Sequence, residues 1–126
     1  MSRQKNVFLA RLAGQAERYD DMVKYMLAIA TAEGHLGDEE RGLLAMAFHG
    51  AVGRRCRRSN AWRVLASAEA RESELWNTEK AGWAAPYRAR VEEEITQMCG
   101  TLVQLLEGRL IPSSSSSEAK VFYCKM

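Results

Sequence analysis

The chain has 126 residues, 47% hydrophobic and 27% charged, with nine glycines and two prolines, which suits one compact domain of helical bias and argues against a second complete one or a disordered chain. Eighteen basic against 16 acidic residues give a net charge of +2, yet five arginines (Arg54, Arg55, Arg57, Arg58 and Arg63) fall within ten residues, and apart from them the balance is 13 against 16. The basic character is therefore local, whereas a general nucleic-acid binder spreads its charge over several elements.

Leu9, Leu12, Ala13 and Ala16 recur at helical spacing, with Arg11, Gln15 and Arg18 between them, and predict an amphipathic helix over roughly 3–17 with a small-residue core face. Asp20 and Asp21 open a second helix, where carboxylates favour the positive end of the helix dipole; Met22, Met26, Ile29 and Ala30 form its stripe and Gly34 ends it. Asp38 is a good N-cap before Glu39 and Glu40. From there Leu43, Leu44, Ala47, Phe48 and Val52 carry a third helix toward the arginines, where Gly50 and Gly53 each cost about 1 kcal/mol relative to alanine. VLASAEARESELWN is helix-compatible, NTEKAGWAAP is loop-like, and Pro86 suits the first turn of the next helix. Val91, Ile95, Met98, Leu102, Leu105 and Leu106 share one stripe that Gly108 can cap. LIPSSSSSEAK is a short flexible connection leading into a last helical segment, EAKVFYCKM. Period-two alternation is missing, so the fold class is all-α.

Catalytic signatures are equally absent: there is no Gly-rich phosphate loop, HExxH, GxSxG or paired carboxylate outside ordinary helix faces. His35 and His49 lie in different segments without a nucleophile or metal partner. Cys56, Cys99 and Cys124 are odd in number and far apart, which favours a reducing compartment over a disulfide or zinc framework. No stretch approaches the roughly 18 apolar residues of a spanning helix. These features predict a soluble intracellular protein, cytoplasmic or also nuclear, that binds or assembles, with no cofactor, no metal and no membrane partner.

The strings LARLAGQAERYDDMVKYM, EERGLLAMAFHGAVG, WRVLAS, YRARVEEEITQMCGTLVQLLEGRLIPS and EAKVFYCKM, in that order, resemble 14-3-3 proteins over nearly the whole chain. The resemblance implies an all-helical antiparallel array of dimeric, non-enzymatic adaptors that clasp phosphoserine or phosphothreonine peptides in a concave groove. This chain would supply the first four helices and the start of the fifth, with helices one to three in 1–72 and the rest in 73–126.

Carried over residue by residue, the phosphate site falls on His49, Arg57 and Arg58, with Lys125 at the groove rim. His49 stands where the family has a lysine, and the stretch from Gly53 to Trp62 is a few residues longer than the family's. On an unbroken helix, the position seven residues after His49 falls on Cys56, and Arg57 would lie about 80° and Arg58 about 180° around the axis from His49. The insertion is therefore expected either to bulge the helix or to spoil the convergence of the arginines. The family's dimer contacts fall on Leu12, Ala13, Ala16 and Tyr87, with Arg18 and Asp21 expected to meet Glu94 and Arg90 across subunits. Pro86 sits where the family's fourth helix is already running and is expected to delay or kink it. Ser59, downstream of arginines, is a candidate phosphosite.

Three functions follow as expectations. The first is a phosphopeptide-dependent adaptor with an incomplete groove, whose partners are phosphorylated client proteins and a second 14-3-3 chain in a homo- or heterodimer. The second is a dimerisation partner that modulates full-length chains without binding clients. The third, least favoured, is a basic nucleic-acid-binding helical module.

Overall fold

The computed structural model describes residues 2–33, 35–53, 56–113 and 117–126, and among them every regular element is helical. Helix α1 (Arg3–Gln15) is capped by Ser2, whose hydroxyl accepts from the Lys5 amide at 3.1 Å. It buries Asn6, Ala10 and Ala13, while Leu12 stays 44% exposed and Ala16 is exposed. The buried side of α1 is thus the expected one of small residues, but of the predicted Leu9–Leu12–Ala13–Ala16 stripe only Ala13 is buried. Its small groups let α2 approach closely, since a β-carbon on Gly14 would already touch the Met22 side chain at 3.2 Å. The turn that follows is a Schellman reversal: the Arg18 amide donates to Ala13 O at 2.8 Å and the Glu17 amide to Gly14 O at 3.1 Å, with Glu17 left-handed at φ 56°.

Helix α2 (Tyr19–Glu33) buries the predicted stripe of Met22, Met26, Ile29 and Ala30, and Val23 beside it. Its predicted end, Gly34, lies outside the described residues, as do Arg54 and Arg55. Helix α3 (Asp38–Val52) corrects the predicted cap: Gly37 is the N-cap, its amide donating to Glu40 Oε1 at 2.8 Å, and Asp38 stands in the first turn paired with Arg41. Glu40 also receives Arg3, at 2.6 Å from Nε, which fastens α1 to α3.

The third helix of the sequence reading then stops and restarts. α3 ends at Gly53, where an added β-carbon would lie 2.4 Å from the His49 carbonyl oxygen. α4 (Arg57–Glu74) begins after Cys56, whose sulfur accepts from the Ser59 amide at 3.3 Å. None of the residues 57–90 is buried. A second Schellman reversal at Trp76 (φ 61°), closed by Asn77 N–H to Glu72 O at 2.9 Å, turns the chain into α5 (Thr78–Leu105). Arg88 Nε, 2.5 Å from Glu69 Oε2, fastens the two helices side by side.

Two expectations for this region are overturned. The loop-like stretch NTEKAGWAAP is helical from Thr78 onward, and Pro86 lies inside α5, not at its start. Proline there removes one bond, to the Gly82 carbonyl, and Gly82 is exposed, so water can satisfy that oxygen. Gly108 likewise caps nothing. α5 widens into a π-helical turn (Leu106–Leu110) and continues through α6 (Ile111–Ser113). Leu105, Leu106 and Leu110 are buried there beside Ala119 and Tyr123 of α7 (Ser117–Lys125), completing a core built mainly by α2 and α3.

Candidate functional cleft at the helix break

A cleft of about 800 Å³ opens where the α1–α2 turn faces the α3–α4 break and the middle of α5. Sequence dictates each wall. Gly50 lets the Tyr19 ring lie against α3, because a β-carbon at residue 50 would fall 2.2 Å from Tyr19 Cγ. Tyr19 leads directly into Asp20 and Asp21, which sit in the first turn of α2 where the helix dipole favours carboxylates. Opposite them, the sulfur cap of Cys56 and the Ser59 hydroxyl, 2.8 Å from Gly53 O, set the start of α4 and so the placement of Arg57 and Arg58.

Of the expected phosphate ligands, His49, Arg57 and Arg58 all line this cleft; Lys125, exposed on α7, does not. α3 ends at Val52 and α4 begins at Arg57, so the angles of an unbroken helix do not apply. His49 and Arg57 are exposed. Arg58 is engaged: Nη1 and Nη2 donate to Asp20 Oδ1 and Oδ2, each at 2.6 Å, and Nη1 also reaches Ala51 O at 3.2 Å. Glu94 Oε2 lies 3.9 Å from its Nε, a buried group without a hydrogen bond among the described residues. The fork of Arg58 holds the Asp20 carboxyl below the usual carboxylate range, outweighing the opposing effect of burial.

The expected dimer residues divide. Leu12, Ala16, Arg18, Tyr87, Arg90 and Glu94 are exposed, whereas Ala13 belongs to the chain's own core. Arg18 pairs with Asp21 at 2.7 Å inside the chain, Arg90 lies over the Tyr87 ring at 5.8 Å, and Glu94 faces Arg58. Ser59, the candidate phosphosite, is half-buried with its hydroxyl donated to Gly53 O.

Sequence reading missed Asp20 as a site residue, along with Glu17 and Cys56. The only available signal was the excess of carboxylates in ERYDD, which require cationic partners from elsewhere in the chain. Among the described residues, those lining the cleft include four carboxylates (Glu17, Asp20, Asp21, Glu94) and three guanidiniums (Arg18, Arg57, Arg58). Among the described residues, no three histidines, cysteines or carboxylates gather as metal ligands do, and no helix is long and apolar enough to cross a membrane.

The described residues thus form an all-helical array with a charged cleft at a helix break. A sequence model of the family described as 14-3-3 protein matches residues 9–126. The tomato (Solanum lycopersicum) 14-3-3 protein 2 is 41% identical over 128 residues, covering 100% of this chain and 49% of that protein. The checkpoint signal transducer rad25 of Schizosaccharomyces pombe is 41% identical over 125 residues, 99% of this chain and 45% of its own length. The maize (Zea mays) 14-3-3-like protein GF14-12 is also 41% identical, over 100% of this chain and 48% of its own. The chain belongs to the 14-3-3 family, whose members are non-enzymatic adaptors, and it spans about half the length of these relatives.

Proposed function

We propose that the chain acts as a phosphoserine- or phosphothreonine-dependent adaptor in signal transduction, with an incomplete groove. The observation that carries this is the convergence of His49, Arg57 and Arg58 on one cleft in a chain whose relatives include a named signal transducer. Arginine's planar fork suits phosphate oxygens, and Arg57 is exposed to receive them. Cytoplasm, with access to the nucleus, is the compartment this role implies. The test is fluorescence anisotropy of a labelled RSxpSxP-type peptide against its unphosphorylated twin. Micromolar, phosphate-dependent binding that Arg57→Gln weakens selectively is the expected result; equal or absent binding to both peptides refutes the proposal.

A second reading, assembly with another 14-3-3 chain without client binding, is favoured by a separate observation. Residues 57–90 contain nothing buried, yet Val64, Trp83 and Tyr87 are exposed there, as Phe8 and Leu12 are on α1. Apolar groups displayed on both faces suit reciprocal burial in a dimer. Sedimentation of the chain alone and with a full-length family member tests it: a complex lost on Leu12→Glu supports the reading, and separate monomers refute it. A nucleic-acid role is disfavoured because the basic excess is confined to one stretch of the chain, and weak, salt-insensitive retention on DNA is the corresponding expectation.

A further inference from the structure

Arg58 is the most completely engaged cation of the cleft, and its occupant is internal. Asp20 presents both carboxylate oxygens to both terminal nitrogens at 2.6 Å, the fork-on-fork geometry with which arginine also receives two phosphate oxygens. Asp20 reaches Arg58 across 38 positions of sequence, so the contact is tertiary. The Ala51 carbonyl, at the end of α3, accepts from the same nitrogen, and Glu94 stands 3.9 Å from Nε. A phosphate entering the cleft therefore meets a guanidinium whose fork is filled and whose neighbours, Glu17, Asp21 and Glu94, repel it.

We infer that Asp20 is an intramolecular occupant of the anion seat on Arg58, and so sets how tightly the cleft binds phosphate. This deepens the phosphopeptide reading and rests on it for biological meaning, although the seat itself can be tested with free phosphate. Asp20 competes at the effective concentration of a tethered group, and a phosphate monoester must displace it without reproducing its tether. Glu94 is the lesser contributor, because it is outside hydrogen-bond distance. Arg57, exposed beside this pair, is left as the first contact for an incoming anion.

The test uses the whole chain labelled with ¹⁵N and titrated with inorganic phosphate. The reporter is the Arg58 Nε–H resonance, assigned by its loss in Arg58→Lys. In the unsubstituted chain the resonance should respond weakly. In Asp20→Asn it should shift with a phosphate affinity about tenfold higher, the scale of a charge-assisted hydrogen bond. Glu94→Gln should give a smaller gain. Asp20→Ser keeps a residue suited to a helix start and repeats the test should the asparagine variant fold poorly by circular dichroism. An Arg58 resonance that moves equally with and without Asp20, or that fails to respond in both variants, overturns the inference. The two proposals fail separately: free phosphate bound by Asp20→Asn without any phosphopeptide binding sinks the adaptor role alone. A phosphopeptide bound by the unsubstituted chain and no more tightly by Asp20→Asn sinks this inference alone.

Discussion

Replacing Gly50 by alanine should destabilise the protein, against the intrinsic preference of a helix. Alanine in a helix interior is favoured over glycine by about 1 kcal/mol, and Gly50 lies in the last turn of α3. Its β-carbon, however, would fall 2.2, 2.3 and 2.6 Å from three carbons of the Tyr19 ring, well inside van der Waals contact. The ring must move or α2 must back away, and overpacking of this kind costs about 1–3 kcal/mol. Because the collision is with three atoms of a rigid ring, the upper end applies, leaving a net loss of about 1–2 kcal/mol. Gly42 supplies the control on the same helix: it is exposed and an added β-carbon would meet nothing within 4 Å, so Gly42→Ala should gain up to about 1 kcal/mol. Urea titrations followed by circular dichroism compare the two, with a lower midpoint expected for Gly50→Ala, a higher one for Gly42→Ala, and slopes unchanged. Midpoint shifts of the same sign would refute the steric reasoning. Tyr19→Ala combined with Gly50→Ala should remove most of the penalty, which isolates the ring as its source.

Trp76 is 88% exposed and left-handed at φ 61°, a conformation that costs a residue bearing a β-carbon about 1 kcal/mol and glycine little. Trp76→Gly should therefore raise the melting temperature by about 4 °C, and a fall would show that the indole packs usefully. Glu40, held by Arg3, titrates below its ordinary value of 4.5 in the folded chain. The unfolded chain then binds more protons as the pH drops past 4.5, so the stability from this pair is intact above that pH and is lost as pH falls through the folded value. Denaturation of Glu40→Gln between pH 7 and about pH 3 should show a flatter acid limb than the parent, and parallel limbs would count against the coupling. Arg58→Gln should accelerate amide exchange in α4 more than in α2, because Arg58 links α4 to Asp20, Ala51 and Glu94 while α2 keeps its buried stripe.

Where a helix buries large side chains on one face, its pattern was readable: Met22, Met26, Ile29 and Ala30 on α2, and Met98, Leu102 and Leu105 on α5 with Leu106 just beyond it, follow the 3.6-residue period to the core. On α1 the small-residue core face was readable, but Leu12 faces outward and Asn6 and Ala10 are buried, because a period alone does not reveal which side a neighbour covers. The breakers in NTEKAGWAAP were overweighted. Gly82 and Pro86 weaken a helix locally, but α5 is fastened to α4 along this stretch and the orphaned carbonyl is at the surface. At the site, family resemblance supplied His49, Arg57 and Arg58 but could not supply Asp20, whose partnership depends on where a helix restarts.

That restart links the insertion to the chemistry of the cleft. In a continuous helix each added residue rotates everything after it by about 100°, so a lengthened stretch would scatter the arginines around the axis. The chain avoids this by ending one helix at Gly53 and beginning another after Cys56, with the Ser59 hydroxyl and the Cys56 sulfur satisfying groups at the junction. The new start places Arg57 and Arg58 at the cleft that His49 also lines. The same placement brings Arg58 within reach of Asp20 and Glu94. The placement of Arg58 at the cleft and its contact with Asp20 are thus two results of one backbone event. Removing the Ser59 tie by Ser59→Ala should move Arg58 itself off the cleft, so that the Asp20–Arg58 contact is lost without the gain in phosphate affinity expected of Asp20→Asn, whereas such a gain would show that the junction does not control the placement of Arg58.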